Sequence, residues 1–209
     1  NLVTAGTLGP DTLEFAGTAP QTYPDLNFTS GRTVLVANDV TAPTGFASIL
    51  NNLEIRSNGI FRLGTTGNVF NVGGTLRTVG TGVLVMTSPS TQMTADSAVF
   101  AGGDETGLLT DGVLTVTRAL VQLPTNSPAS FLASGNHRVD LTGTTVNVDF
   151  DFFTRDQSPI NNLTSSAGNT FISWARVNGD ATFSGNNVNA STLNIRGTLT
   201  TAPATGLGI

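Results

Sequence analysis

The sequence contains no cysteine and no lysine, and only one histidine, one tryptophan and one tyrosine. Without cysteine there is neither a disulfide nor a thiolate metal site. Without lysine there is no Schiff base, no phosphate-loop lysine and no lysine–asparagine crosslink; all nine basic residues are arginine. Charged residues make up only 11% of the chain, against about 25% in an ordinary soluble domain. A net charge of −5 and a pI near 4.6 leave no basic footprint for nucleic acid or an anionic membrane. No apolar run approaches the length that spans a bilayer, so membrane insertion is not expected. The opening residues Asn1-Leu2-Val3 do not read as a signal peptide, and a cysteine-free chain remains compatible with export.

Glycine, of which there are 24, and abundant Thr, Asn and Ser take the place of the missing charge. Hydroxyls and amides suit closely stacked strands, where ranks of like charge would repel. From Leu53 to Met86, short apolar alternations (Leu53/Ile55, Phe61/Leu63, Leu76, Leu84/Met86) are separated by Gly, Asn and Thr. Such period-two runs with glycine punctuation predict short strands joined by tight turns. The phrase returns at Gly112-Val113-Leu114-Thr115-Val116 and Gly197-Thr198-Leu199. Strict alternation over Val146–Phe152 sets Val146, Val148, Phe150 and Phe152 on one face. Asn58-Gly59, Asp111-Gly112 and Asn178-Gly179 are turn pairs, since their residues tolerate positive φ. The prolines fall mainly in connections, helical signals are nearly absent, and Ser88–Thr110 reads as a surface excursion. The expected fold is all-β: an elongated β-solenoid resembling a parallel β-helix, with a pair of β-sandwiches as the alternative.

The phrase Thr12–Thr18 is echoed at Arg138–Thr144, and Leu53–Arg56 at Leu193–Arg196, in the same order. These echoes suggest an internal duplication: an extended N-terminal arm over 1–10, a first unit over 11–136, and a shorter second unit over 137–209. No polar helix marks either end. The final coils are therefore expected to be covered by copies of the chain or by more of the same stack.

The stretch Phe131–Thr144, then Ile160-Asn161-Asn162-Leu163 and the Gly-x-Leu phrases, with Leu13–Thr18 and Asn51-Asn52-Leu53 as counterparts, resembles repeat regions of long secreted bacterial surface proteins. These include regions that accompany bacterial immunoglobulin-like modules and β-solenoid adhesins of the haemagglutinin or autotransporter kind. The resemblance implies an extracellular or cell-surface bacterial location and a non-enzymatic role, and it transfers no functional residue.

Chemistry-bearing constellations are few. His137 precedes an expected strand without a nucleophile motif nearby and is expected at an exposed turn rather than as a general base. Asp149 and Asp151, on one side of an alternating strand with Asp156 close behind, suit calcium, although any half-exposed strand shows the same alternation. Asp104 and Glu105, with Asp111, form a second acidic group in a Gly-rich loop, again a calcium candidate; no other cofactor is expected. Phe150, Phe152, Phe153, Phe171 and Trp174 are candidates for a sugar-stacking platform or for core. Thr115/Thr117 and Thr198/Thr200 lack the fixed interval of an ice-binding array. Asn27-Phe28-Thr29, Asn162-Leu163-Thr164 and Asn189-Ala190-Ser191 fit the glycosylation triplet, which arises often by chance in such a composition.

The leading expectation is a structural protein, not an enzyme: a self-assembling filament or rigid surface fibre joined head to tail. Leu2, Val3, Leu207 and Ile209 are the expected junction residues. The partners would be other copies of the chain and, in the alternative reading as an adhesin or carbohydrate-binding module, surface glycans. A polysaccharide lyase or hydrolase is the third reading.

Overall fold

The computed structural model describes residues 11–24, 32–45, 47–63, 67–124, 127–185, 187–202 and 206–208. The arm over 1–10, with Leu2 and Val3, lies outside the described residues, as does Ile209.

The chain is an all-β parallel solenoid of about eight turns, with no helix among the described residues. Every ladder is parallel, which a sandwich of antiparallel sheets does not allow. One coil sits on the next at a variable interval: Leu163 pairs with Ala181, eighteen residues on, whereas Val113 pairs with Arg138, twenty-five residues on. That variability explains why no fixed period is visible in the sequence.

The strands of successive coils lie in three stacks. The first runs from Ala47–Leu50 through the leading halves of Val69–Val79, Gln92–Ala101 and Val113–Gln122 to Arg138–Leu141, Asn162–Ser165, Ala181–Phe183 and Leu199–Thr201. The second starts at Thr12–Phe15, Thr33–Val36 and Asn52–Ile55 and continues through the trailing halves of those three long strands. It then takes in Thr145–Phe150, the leading halves of Asn169–Val177 and Asn187–Ile195, and Gly206–Gly208. The third comprises Gln21–Thr22, Asp39–Thr41, Ile60–Arg62 and Val83–Val85, prolonged by bridges from Met86 to Leu109 to Ala133.

In the long central strands the corner between the first two stacks is a bulge, where the register slips between Ala95 and Ser97. A bulge turns the strand without ending its ladder, so Ser88–Thr110, expected as a surface excursion, instead carries a ten-residue strand paired on both sides. Thr12–Phe15 lies in the second stack and its echo Arg138–Leu141 in the first.

Burial follows the alternation. Leu53, Ile55, Phe61, Leu63, Leu76, Leu84 and Met86 all point into one continuous core, as do Val146, Val148 and Phe150, while Thr145, Asn147 and Asp149 face out. Two ring clusters occupy the interior: Phe15, Tyr23, Phe61 and Phe70 in the early coils, and Phe100, Phe131 and Phe150 further on.

The polar composition is used between coils. Asn52 Oδ1 accepts the Thr75 N–H, Asn162 Oδ1 accepts that of Asp180, and Asp180 Oδ1 accepts that of Thr198. At these places a side chain substitutes for a missing ladder partner, which satisfies backbone groups at the corners. The few charges also pair between coils: Arg62 with Asp39 at 2.9 Å and Arg118 with Asp96 at 3.1 Å. These pairs are half-exposed and contribute little to stability.

Glycine at the corners permits backbone on backbone. A Cβ on Gly143 would lie 1.7 Å from the Thr117 carbonyl oxygen of the coil below. Gly107, at φ +72°, has no atom within 4 Å of the same position. Gly143→Ala must therefore push two coils apart, and we expect it to lower stability by about 2 kcal/mol or more. Gly107→Ala carries only left-handed strain of about 1 kcal/mol. Denaturant unfolding of the two variants checks the order; equal losses would show that the coils have slack.

Candidate functional site

The site grows from one polar residue at an inward position. In Val113–Gln122 the alternation places Leu114, Val116, Leu120 and Gln122 inside. Gln122 cannot be left unsatisfied there. Its Nε2 donates to Ser130 Oγ at 3.0 Å and to the Leu123 carbonyl at 2.9 Å, and its Oε1 accepts the Asp151 N–H at 3.1 Å and the Thr154 hydroxyl at 3.0 Å. A buried amide thus fastens the segment that leaves the ladder after Phe150.

That segment, 151–158, is a compact series of turns. Asp151 Oδ1 accepts the N–H groups of Phe153 and Thr154, at 3.0 and 3.1 Å, and the Thr154 hydroxyl at 3.2 Å. The Arg155 N–H donates to the Asp151 carbonyl at 2.9 Å. A short acceptor side chain closing its own turn competes with strand continuation. The far end is tied by Ser158 Oγ to the Pro128 carbonyl at 2.6 Å and by Arg176 to the Asp156 carbonyl at 2.9 Å.

The turns hold an aromatic group outward. Phe152 meets Trp174 edge-on at 4.9 Å and Phe153 edge-on at 5.3 Å. The Arg155 guanidinium lies 4.2 Å from the Phe152 centroid and 4.3 Å from that of Trp174, and it also donates to the Phe152 carbonyl. Edge-to-face and cation–ring contacts fix relative orientation, so Phe152, Arg155 and Trp174 form a base on which Phe153 stands. Phe153 is 82% exposed and Phe171 is 43% exposed.

Beside Trp174 runs an open groove of about 290 Å³, lined by Phe171, Ile172, Ser173, Asn189, Ala190 and Ser191. It follows from register: Ile172 pairs with Ala190 and Trp174 with Thr192, and Ser173 and Ser191 stand between those pairs. Asn147, Phe171 and Asn189 form one outward row across three strands.

The sequence-predicted residues divide as follows. Phe152, Phe153 and Trp174 come together, Phe171 lies on the neighbouring groove, and Phe150 is core. The expectation that Phe152 continues the inward face fails because the strand ends at Phe150 and Asp151 starts the turn. Asp149 is exposed on the strand, while Asp151 is half-buried and its Oδ1 caps the turn.

Asp104 is exposed and closes its own turn through the Thr106 N–H at 2.8 Å. Glu105 is fully buried, with Oε1 accepting the Leu84 N–H at 3.1 Å and its own N–H donating to the Ala129 carbonyl at 3.0 Å. Among the described residues no group of three or more His, Asp or Glu side chains is placed to hold a metal. Burial pushes the Glu105 carboxyl well above its ordinary range; the Leu84 N–H opposes this and Asp104 adds to it.

His137, expected to be a solvent-exposed or turn residue, is wholly buried against Phe131, with ring centroids 6.3 Å apart and, among the described residues, no hydrogen-bond partner on either ring nitrogen. Burial lowers its pKa from 6.5 to about 4, against a small opposing effect of Asp111. The alternation His137, Val139, Leu141 signals this inward placement. Arg155, Gln122 and the Ser173/Ser191 groove are not legible as a site in the sequence; a glutamine at an inward register is the nearest local signal. Of the junction residues, Leu207 lies in the strand Gly206–Gly208, whose backbone alone is described.

A scan against protein-family models and searches of curated proteins and of solved structures found no match to this chain.

Proposed function

We propose that the chain is a structural element of a bacterial surface fibre or filament, whose copies join end to end, and that it is not an enzyme. The supporting observation is the last described rung. Among the described residues Leu199–Thr201 pairs with Ala181–Phe183 alone, all three of its residues are exposed, and Leu199 shows 42% of its surface. Among them Gly206–Gly208 likewise pairs on one side. A parallel edge beside exposed leucine can take a further rung, from a second copy as from more of the same stack. The two ends of a parallel stack differ, so contact between copies is heterologous and propagates without closing.

The non-catalytic reading is supported by the single histidine sealed in the core and by Asp151 being engaged in closing its own turn. The bacterial surface location rests on the resemblance of the Gly-x-Leu phrases.

Sedimentation velocity from micromolar to millimolar concentration, with negative-stain microscopy, tests assembly. The parent chain is expected to form linear species, and Leu199→Lys to remain monomeric with an unchanged circular dichroism spectrum. Deleting 1–10 is expected to leave a folded monomer. A parent chain that stays monomeric at every concentration defeats the reading.

A further inference from the structure

We propose that the outer face formed by Phe153, Phe171 and the groove between Ser173 and Ser191 binds a neutral oligosaccharide. This binding activity is additional to assembly and does not depend on it.

Rigidity is the first argument. Gln122, Asp151 and Ser158 bolt the turns to the solenoid, and Arg155 clamps the rings of Phe152 and Trp174. That clamp fixes the two supporting rings, of which Phe152 is still half-exposed, and Phe153 is the most exposed ring of the group. A phenylalanine 82% exposed is costly to leave in water, yet this one is held by a buried amide rather than folded onto the surface. A preorganised ring gains affinity because little freedom is lost on binding.

The second argument is the lining. Next to the second exposed ring, Phe171, the groove offers hydroxyls from Ser173 and Ser191 and the amide of Asn189. Asn147 lies one strand away from Phe171 and Asn189 one strand beyond it, a row of about 10 Å at the usual strand spacing. Flat rings for the C–H face of a pyranose, flanked by neutral donors and acceptors, match the alternating faces of a sugar. A volume of about 290 Å³ lies at the small end of ligand pockets and suits one or two sugar units in an open trough.

Charge selects the neutral class. Asp149 is exposed on the adjoining strand and the Asp156 carboxylate at the rim is 71% exposed. Arg155 is engaged with two rings, and Arg176 with Asp156 at 3.6 Å. Three carboxylates, Asp149, Asp151 and Asp156, thus stand against the two guanidiniums of Arg155 and Arg176, so that among the described residues of this face an anionic sugar meets no excess of positive charge. A protein partner fits less well, because the exposed rings of Phe152, Phe153 and Phe171 beside a polar trough are far smaller than the contiguous apolar centre that a stable interface of about 1,200 Å² or more requires.

The experiment titrates the full chain with cellulose-, mannan- and amylose-derived oligosaccharides, and with polygalacturonate oligosaccharides as the anionic comparison. Calorimetry is read beside the fluorescence of Trp174, the single tryptophan. At least one neutral oligosaccharide should bind and shift Trp174 emission. Phe153→Ala and Phe171→Ala should each weaken binding about tenfold with an unchanged melting curve, while Phe171→Tyr, which keeps the ring, should retain it. Absence of binding by all three neutral sugars overturns the proposal. So does binding of the polygalacturonate alone, or alanine variants that bind as tightly as the parent.

Discussion

Acidification should unfold this solenoid through His137 before its carboxylates become important. The ring is buried beside Phe131, neither nitrogen has a partner among the described residues, and its pKa falls from 6.5 to about 4. Because the folded value is depressed, the unfolded chain takes up a proton first as the pH drops. The stability associated with neutral His137 is complete above about pH 6.5 and is lost progressively down to about pH 4. A gap of that size corresponds to roughly 3 kcal/mol, a large part of a domain's net stability. Asp111 is the charged group acting on the ring, and it reduces the effect.

His137→Leu fills the same interior without a titrating group. It should leave stability near neutral pH unchanged or higher, since two unpaired polar atoms are removed, and it should flatten the acid limb. Glu105 works in the opposite sense. Its folded value is raised, so its contribution is complete below the ordinary value of 4.5 and is lost as the pH rises toward the folded value. Glu105→Gln keeps an acceptor for the Leu84 N–H and should raise the unfolding midpoint near neutral pH. Urea unfolding of parent and variants between about pH 7 and about pH 4 checks both signs; an acid limb unaltered in His137→Leu would remove His137 as its cause.

The second large effect is expected at Phe131. Its ring is fully buried and meets Phe100 at 4.7 Å, Phe150 at 5.5 Å and His137 at 6.3 Å. It therefore ties Gln92–Ala101 to the coil two further on, which carries both His137 and Thr145–Phe150. Phe131→Ala removes the transfer energy of the ring and leaves a cavity that stacked strands cannot close, at a cost of about 3–5 kcal/mol. In a chain of this length that is about 10 °C or more in Tm. Each coil of a solenoid contacts only its neighbours, so the loss should be local. Hydrogen exchange is expected to speed up from Gln92–Ala101 through Thr145–Phe150 and to remain slow at Thr33–Val36 and Asn52–Ile55. Phe153→Ala, at an exposed ring, should alter stability by less than about 0.5 kcal/mol. Uniform loss of protection along the chain would contradict local coupling.

Alternation and glycine spacing by themselves determined that the fold is all-β with every second strand residue inward, whereas the choice of one parallel stack over a pair of sandwiches was made by the tertiary structure. The side-chain period of a strand is two regardless of context, so Leu53, Ile55, Val146 and Val148 are assigned inward from the sequence alone. Hydroxyls and amides in place of charge likewise foretold a surface compatible with close stacking. The coil interval was not readable, because corner loops absorb differences between eighteen and twenty-eight residues without disturbing the ladders. Nor was the point at which a strand stops: Phe150 and Phe152 carry the same pattern, and only the cap of Asp151 on a turn held by Gln122, far away in sequence, sends one ring inward and the other out. Contacts between residues distant in the chain thus decided the fates of His137, Glu105 and the aromatic group, since burial of a polar or flat side chain depends on what the next coil places against it.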